Sequence, residues 1–560
     1  MVKRVSKMTG LRYWMLRALE ECDHVSVGFS ADPVHDLRVA LRRCRSMADG
    51  MMAMDPDPDW KAMKKAGKRL FQRLGDLRDV QIMMEWIERL HPKIVRAHVA
   101  QIPTPAPDVE VNADGVGGLP AYRSEPHPEM NATLDPAAQA LLAILRHRES
   151  QHKHEARTAL DEFDRKEWRQ WARTLPQRAA RIRPGSTVFK HLALERWTAA
   201  RELHTRALRN RSQVAFHTLR IGIKRFRYIV ENFLPAEHKA WSDDLKHMQD
   251  LLGEVHDLDV LWATALTCHV FADEASRKAW HARILEERGR RIDEYRERTV
   301  GPNSLWGVWR SGLPRGKQVQ QIAMQRMKLW ARALDPDFAH SERVARLSLE
   351  LYDGLSGAGL LGLPPAANGA RPGKQNYAQG NDGSDARSSL YAAALLHDVG
   401  KSKGEKNHHK ESLDLINRHG APLGWNEKDV RCAAVVARFH CGALPTRGHK
   451  NLRDLLPDEQ TTIIRLAAIL RLANAMDAAH DGHILRVKIE NPAARFPDRK
   501  LRTNGFVRKP AALAKNEALV IGAEGYTQVS AAARAIAGER FLLETVLHRP
   551  VVVTPMKNAG

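Results

Sequence analysis

The chain has 560 residues, with 88 Lys or Arg against 66 Asp or Glu, so that its formal net charge is +22. This length is too great for one ordinary core and predicts about two to four domains. So large a positive surplus favours polyanionic partners without naming the polyanion. Hydrophobic residues make up 43% of the sequence, enough for buried cores, and the many Ala, Leu, Arg and Glu residues favour helices. We predict a mainly α protein.

The cysteines and the N-terminus argue against a secreted or membrane protein. Five cysteines, an odd number without a CxxC pair, do not fit a disulfide framework or a structural zinc ribbon. The apolar residues 11–16 are interrupted by Arg12 and followed by Arg17, so they lack a signal-peptide core. No apolar run reaches membrane-spanning length. The expected location is the reducing cytoplasm, without a membrane partner.

Helical periodicity extends over residues 8–98 and 136–300, separated by a segment rich in Pro, Gly and Asn. Similar breaks in composition, together with β-prone runs near the C-terminus, divide the rest of the chain. The predicted organisation is a helical domain at 1–300 with an insertion at 101–135, a linker at 301–316, an all-α domain at 317–490 with a flexible loop at 362–388, and a small α+β extension at 491–560.

The first half of the chain contains an internal repeat. A basic block recurs with the same spacing, and the run from Leu74 to Asp79 is answered by the run from Leu252 to Asp257, as Lys68 is by Lys246. This order predicts a duplicated helical unit. The basic block consists of His35, Leu37, Arg38, Leu41, Arg42, Arg43 and Arg45 in the first copy, and of His217, Leu219, Arg220, Ile223, Lys224, Arg225 and Arg227 in the second.

On a helix, positions i, i+3, i+7 and i+10 share one face, so each basic block predicts a cationic stripe opposite an apolar face. Like charges along a stripe repel, which favours an anionic partner, although an acidic stripe elsewhere or plain solvation would also serve. The stripes lack the exposed aromatic residues and the Asn or Gln base readers of nucleic-acid modules. A polymer of phosphates fits them better, and nucleic acid is the weaker alternative.

These blocks resemble the conserved histidine α-helical domain, called CHAD, over residues 5–300. The resemblance implies a duplicated helical bundle whose basic central cavity binds inorganic polyphosphate. Arg78 stands where the second copy has His256, so the two copies are not fully equivalent. The residues implied in polyphosphate binding are His35, Arg38, Arg42, Arg43, Arg45, Lys68, His217, Arg220, Lys224, Arg225, Arg227 and Lys246.

A second set of residues has the order of a metal site. His397 and Asp398 end an apolar helical run, and adjacent His and Asp residues can reach one divalent ion if neighbouring helices supply further ligands. His340 opens an earlier amphipathic helix, and Asp477 closes a later one. His409 and His440 lie between these positions. The series His, His-Asp, His, His, Asp therefore predicts a divalent metal site.

This order is similar to that of the HD-domain metal phosphohydrolases. The segments LLHDVGK, NHHKESLDLI, VVARFHCGALP and LAAILRLANAMD resemble the helical domain that follows the ATPase-like halves in the exopolyphosphatase and guanosine pentaphosphatase family. The departures are Glu411 where relatives often have His, Cys441 where Arg is common and Asn474 where Asp is common. The implied roles are a primary metal site of His340, His397, Asp398 and Asp477, a second metal or phosphate contact at His409 and His440, and a nearby catalytic cation at Lys401.

The expected function is polyphosphate binding combined with metal-dependent phosphohydrolysis of polyphosphate or another phosphorylated small molecule, as in an exopolyphosphatase. A divalent ion, Mn, Mg or Fe, would lower the pKa of its bound water so that hydroxide attacks phosphorus. Asp398 would act as a proton acceptor. Two alternatives stay open: a non-enzymatic polyphosphate receptor whose HD domain is structural or regulatory, and a nucleic-acid-associated phosphodiesterase.

Overall fold

The computed structural model describes residues 10–90, 135–361, 386–490 and 518–556. The chain divides into two compact units, Met1–Met52 with Pro58–Pro314, and Ala53–Asp57 with Arg315–Gly560. Helices dominate both units, which confirms the mainly α prediction. Among the residues described, no helix is both long and apolar enough to span a membrane. All five cysteines are free thiols.

The first unit is built from helices alone in its described part. Side chains cap several of their first turns, as Asp135 does by accepting hydrogen bonds from the amides of Ala137 and Ala138. The helices are α1 (Leu11–Gly28), α2 (Ala31–Met51), α3 (Pro58–Ala66), α4 (Lys68–Leu90), α5 (Pro136–Asp161), α6 (Arg165–Ala179), α7 (Thr187–Asn210), α8 (Gln213–Phe233), α9 (Pro235–Thr267), α10 (Glu274–Thr299) and α11 (Leu305–Ser311).

The helices of the first unit repeat one packing order, which confirms the predicted duplication. In the first copy α1 packs on α2, α2 on α4, and α4 on α5. In the second copy α7 packs on α8, α8 on α9, and α9 on α10. The two basic helices α2 and α8 also pack on each other. Their apolar faces are fully buried, through Leu37, Leu41 and Cys44 on α2 and through Leu219, Ile223 and Phe226 on α8.

The second unit combines helices with a short sheet. Its helices are α12 (Lys317–Leu334), α13 (Phe338–Gly357), α14 (Ala386–Leu396), α15 (His408–His419), α16 (Glu427–Arg438), α17 (Pro457–Met476) and α18 (Ala531–Leu547), with a 3-10 turn at Val399–Lys403. Its strands are β1 (Arg486–Glu490), β2 (Leu519–Glu524) and β3 (Val551–Pro555).

The sheet has the order β1-β2-β3, with β1 antiparallel to β2 and β2 parallel to β3. A parallel pair needs a crossover connection, and α18 lies between β2 and β3 in the chain. Val487, Ile521 and Val553 belong to the same hydrophobic core as the helices of this unit. Arg471 on α17 also donates to Glu539 on α18 at 2.7 Å. The sheet and α18 therefore share their core with the helices that carry the histidines.

Several predicted segments are only partly described. The insertion at 101–135 and the loop at 362–388 lie outside the described residues, except for Asp135 and the first turn of α14. The predicted linker at 301–316 contains α11, whose Trp306 and Trp309 are buried. The sheet begins at Arg486, before the predicted extension at 491–560, because β1 pairs with β2.

Candidate functional site

Three chain segments of the second unit bring their ends together. His397 and Asp398 follow the last residue of α14, and the 3-10 turn begins directly after them. His440 lies two residues beyond the end of α16, while His408 is the first residue of α15. Asp398, His397 and His440 are almost completely buried, with 2%, 0% and 3% of their surface exposed. We call these four residues, with the adjacent His340 and Cys441, the histidine cluster.

The three imidazoles of His397, His408 and His440 are oriented in the same way. In each ring Nδ1 lies within hydrogen-bond distance of a main-chain carbonyl three residues earlier. A carbonyl oxygen only accepts, so each Nδ1 carries a proton, and in the neutral ring each Nε2 is left with a lone pair. Metal-binding histidines are commonly fixed in this manner. The acceptors are the oxygens of Ala394 at 2.7 Å, Glu405 at 2.9 Å and Ala437 at 2.7 Å.

The free Nε2 atoms converge on the carboxylate of Asp398. His397 Nε2 lies 3.4 Å from Oδ2, while His408 Nε2 and His440 Nε2 lie 3.3 and 3.6 Å from Oδ1. The Nε2 atoms of His408 and His440 are themselves 3.0 Å apart. Two lone pairs at that distance repel unless a proton or a cation lies between them. The site therefore places three imidazole nitrogens around one carboxylate, and these are ligands that a divalent metal ion takes.

Two buried atoms of the histidine cluster have unused hydrogen-bonding capacity. Within the described ranges, His397 Nε2 and Asp398 Oδ1 are buried and have no hydrogen-bond partner. Leaving such atoms unsatisfied costs about 1–3 kcal/mol each, unless something else binds them. A metal ion coordinated by these atoms would remove that cost, so the residues present fit the predicted ion.

The charges around Asp398 favour its anionic form. Burial alone would raise its pKa, but the neighbouring imidazoles, first His397 and then His408 and His440, hold the pKa well below its usual range. Lys401 Nζ lies 2.7 Å from Oδ2. Burial keeps the pKa of His440 well below its ordinary value. Asp398 is therefore an anion and His440 a neutral imidazole at neutral pH. Burial alone would lower the pKa of His397, but Asp398 raises it, and the hydrogen bond to Asp398 raises the pKa of His408 to about 10, so these two rings would lose a proton on coordinating a metal.

His340 lies beside His397 and Asp398, whereas Asp477 contacts the His340 ring itself. Donor atoms of His340, His397 and Asp398 lie within 4.8 Å of one another. Asp477 Oδ2 lies 2.7 Å from His340 Nδ1 and accepts from Arg343 Nε at 2.9 Å. Asn474 Oδ1 lies 2.9 Å from His340 Nε2. In this arrangement Asp477 orients the His340 ring. Its carboxylate does not belong to the group of closely spaced donor atoms from His340, His397 and Asp398.

The structure places His408 where the sequence analysis placed His409. His408, His440 and Cys441 have donor atoms within 4.8 Å of one another. The ring centroid of His409 is 6.5 Å from that of His440, against 5.0 Å for His408. Adjacent histidines at the start of a helix point in different directions, and the sequence does not show where the helix begins. The residue that sets the start of α15 is Asn407, whose positive φ of 61° places a turn directly before His408.

Gly400 allows α15 to approach the histidine cluster. A Cβ there would overlap the carbonyl oxygen of His408 and lie 2.6 Å from Ser412 N. The Gly400 amide donates to Ser412 Oγ at 2.9 Å, and that hydroxyl donates to the His397 carbonyl at 2.6 Å. The main chains of α15 and the 3-10 turn are therefore in direct contact.

Gly400→Ala is expected to push α15 outward and carry His408 away from Asp398. We expect destabilisation of about 1–3 kcal/mol from overpacking and a weaker metal affinity. Thermal unfolding and metal titration measure the two effects. Gly357→Ala is the matched control, since a Cβ there meets nothing within 4 Å. Equal unfolding temperatures and affinities for Gly400→Ala and the wild type would contradict this account.

In the first unit, cations from both copies of the repeat come together. The pKa of Lys224 is lowered to about 8, first by burial and then by nearby positive charges. Those charges belong to Arg220 on its own helix and to Arg42 and Arg38 on α2. We call these four residues the cation cluster. It contains paired positions of the two copies: Arg38 with Arg220, and Arg42 with Lys224.

In each copy of the repeat, a glycine packs against the first arginine of the basic block. Gly75 lies against the guanidinium of Arg38, where a Cβ on the glycine would be 3.9 Å from Nη2, and a Cβ on Gly253 would be 4.0 Å from Arg220 Nε. Arg38 Nη1 also donates to the Leu74 carbonyl at 3.1 Å. The Leu-Gly-acidic blocks found in the sequence therefore lie beside the cationic stripes.

The other predicted polyphosphate-binding residues lie in several environments. Arg43 and Arg227 both pair with Glu231, so one of their two positive charges is already balanced. Arg45 donates to the Lys64 carbonyl at 2.8 Å. His217 Nδ1 lies 3.3 Å from His256 Nδ1, at the position where the first copy has Arg78. The remaining side chains are exposed: His35, Lys68, Arg225 and Lys246.

Comparison with known families identifies two regions. Residues 15–266 match the CHAD domain. Residues 324–517 match domain III of the Ppx/GppA phosphatases, so the cation cluster lies in the CHAD domain and the histidine cluster in the other match. No curated protein matches the chain. Together the matches indicate polyphosphate-related phosphatase activity and a divalent metal. The HD-type assignment stays a prediction.

Proposed function

We propose that the protein binds inorganic polyphosphate through its CHAD domain and hydrolyses polyphosphate, or another phosphoanhydride or phosphoester, at the histidine cluster. The observation that carries the hydrolase half is the convergence of three Nε2 lone pairs on Asp398, each with its Nδ1 proton committed to a carbonyl. We assign the second domain to the HD-type phosphohydrolases on this basis, with cytoplasmic location as an expectation.

Polyphosphate binding is proposed at the cation cluster. Arg38, Arg42, Arg220 and Lys224 come from two helices that pack on each other, so one phosphate chain can contact cations of both copies. Arg supplies bidentate contacts to phosphate oxygens and Lys a compact charge. Repulsion among the four cations is relieved when an anion binds, and counterion release adds to the affinity.

The hydrolytic chemistry would use a divalent ion held by His340, His397 and Asp398, with His408 and His440 around the other oxygen of the Asp398 carboxylate. When bound, such an ion makes hydroxide available near neutral pH and polarises a phosphoryl oxygen. Asp398 holds its negative charge and is placed to accept a proton, and Lys401, in contact with its Oδ2, offers positive charge to a phosphate. Asp477 and Arg343 keep the His340 ring oriented.

The test of the hydrolase uses the metal-loaded full chain with polyphosphate, nucleoside monophosphates and guanosine tetraphosphate in separate reactions. Orthophosphate release is measured in each. We expect release from polyphosphate, and loss of release in the His397→Ala protein. Binding of polyphosphate without release from any of these compounds would leave only the receptor function. Unchanged release by His397→Ala would refute the assignment of the histidine cluster.

Polyphosphate affinity should depend on pH through Lys224. Its pKa of about 8 in the free protein is raised by a bound polyanion, so binding takes up a proton near that pH. The affinity is therefore highest below pH 8 and falls as the pH rises through 8. Burial raises the pKa of Asp257 to about 6, so this carboxyl becomes negative as the pH rises through 6 and lowers the polyphosphate affinity there as well.

Binding titrations from pH 5 to 10 (roughly the range over which these side chains titrate) would measure this dependence. Lys224→Arg is the matched control, since guanidinium keeps its charge throughout the range. We expect the decrease near pH 8 in the wild type and not in Lys224→Arg. An identical decrease in both proteins would assign it to another group.

A further inference from the structure

The carboxylate of Asp398 faces two different groups of ligands. Oδ2 is directed toward His397, at 3.4 Å from its Nε2. Oδ1 is directed toward His408 and His440, at 3.3 and 3.6 Å. His340 belongs to the first group by distance, and Cys441 belongs to the second. One carboxylate thus separates two positions, each with its own set of donors.

Cys441 offers a sulfur donor at the second position. It directly follows His440, and its Sγ lies 3.8 Å from His408 Nε2. Cys441 is half-buried and carries a free thiol. Among the described residues, no other cysteine belongs to a group of possible metal donors.

The separations match those of ligands around one small ion. For tetrahedral zinc, bond lengths of about 2.05 Å to nitrogen and about 2.3 Å to sulfur place two nitrogens about 3.3 Å apart and nitrogen and sulfur about 3.6 Å apart. The observed values are 3.0 Å between the two Nε2 atoms and 3.8 Å between nitrogen and sulfur. Small side-chain adjustments would produce the coordinated geometry.

An independent observation supports a ligand at this position. The side chain of Asp398 is only 3% exposed, and its buried Oδ1 lacks a hydrogen-bond partner among the described residues. It is directed into the space between His408 and His440. The Nδ1 protons of both rings are committed to carbonyl oxygens, so Oδ1 is satisfied only by a second proton on one of these rings or by a bound cation.

We propose that Cys441 is a thiolate ligand of the metal centre, at the position lined by His408 and His440 beside Asp398 Oδ1. Thiolate ligands favour Zn²⁺, Co²⁺ or Fe²⁺ over Mg²⁺, so this position selects a borderline-soft ion. On binding, the Cys441 thiol loses its proton to solvent and a metal–sulfur bond forms. The inference rests on the proposed metal centre and restricts which metal ions that centre would bind.

The test is Co²⁺ loading of the full chain, followed by absorption spectroscopy. A thiolate bound to Co²⁺ gives a sulfur-to-metal charge-transfer band in the near ultraviolet, which oxygen and nitrogen ligands do not give. We expect this band in the wild type and its loss in Cys441→Ser. Zn²⁺ affinity at the second position should fall about 10-fold or more in Cys441→Ser. Phosphatase activity is not needed for either measurement.

Cys432→Ser is the matched control, because Cys432 is half-buried in α16 and lies outside the histidine cluster. It should keep the band, and circular dichroism should show the same helix content for all three proteins. Wild type that binds Co²⁺ without the band, or a band that survives in Cys441→Ser, would overturn the thiolate ligand while leaving the metal centre intact. Wild type that binds neither Co²⁺ nor Zn²⁺ would overturn both proposals.

Discussion

Asp398→Asn is expected to reduce phosphate release at least about 100-fold and to lower the bound metal. The substitution keeps the size of the side chain but removes the anion on which three imidazoles and Lys401 converge. The remaining ligands would then be imidazoles and Cys441, and Lys401, no longer paired with an anion, would repel a divalent ion. Loss of a supporting ligand partner alone costs about 10–100-fold in metal affinity, and Asp398 is a direct ligand in this proposal.

Metal content after dialysis and the rate of orthophosphate release measure the two effects. Asp414→Asn is the matched control, since Asp414 is exposed on α15 in the same unit. It should behave as the wild type does. If Asp398→Asn retained full metal content and full activity, the histidine cluster would not be the catalytic centre. Retained metal with lost activity would instead indicate that Asp398 acts mainly on a proton.

The architecture of the first unit was predictable because its signal is repeated. The apolar positions around Leu37 and Leu219 recur at helical spacing, and burial of both rows follows from that periodicity. The sequence also located the ends of α14, α16 and α17, where His397, His440 and Asp477 lie. These positions follow from apolar runs that stop at a polar residue, a local feature.

Long-range pairing was not predictable from the sequence. Glu231 pairs with Arg227 four residues earlier on α8, a spacing visible in the sequence, but it also pairs with Arg43 of the other copy, and no spacing within either copy indicates that second contact. The choice of His408 over His409 depends on the residue at which α15 begins. The pairing of β1 with β2 joins strands separated by residues 491–518 in the chain. Each of these features depends on how distant segments pack.

The double substitution Arg42→Ala with Lys224→Ala is expected to weaken polyphosphate binding about 100-fold at moderate salt. These two cations have few structural commitments: Arg42 Nε has no hydrogen-bond partner in the described part of the chain, and burial already penalises the charge of Lys224. Each lost charge-assisted contact to phosphate is worth about 1.5–3 kcal/mol. The fold should survive, because the apolar faces of α2 and α8 are unchanged.

The decisive measurement is affinity across a salt series. Each phosphate contact releases counterions, so removing two contacts should reduce the slope of log affinity against log salt by about 2. Arg169→Ala with Arg173→Ala is the matched control, because both residues are exposed on α6 and the pair removes the same net charge. If binding depended only on the overall charge of +22, the two double variants would lose affinity equally. A much larger loss, with a shallower salt slope, for Arg42→Ala with Lys224→Ala alone would place the polyphosphate chain between α2 and α8.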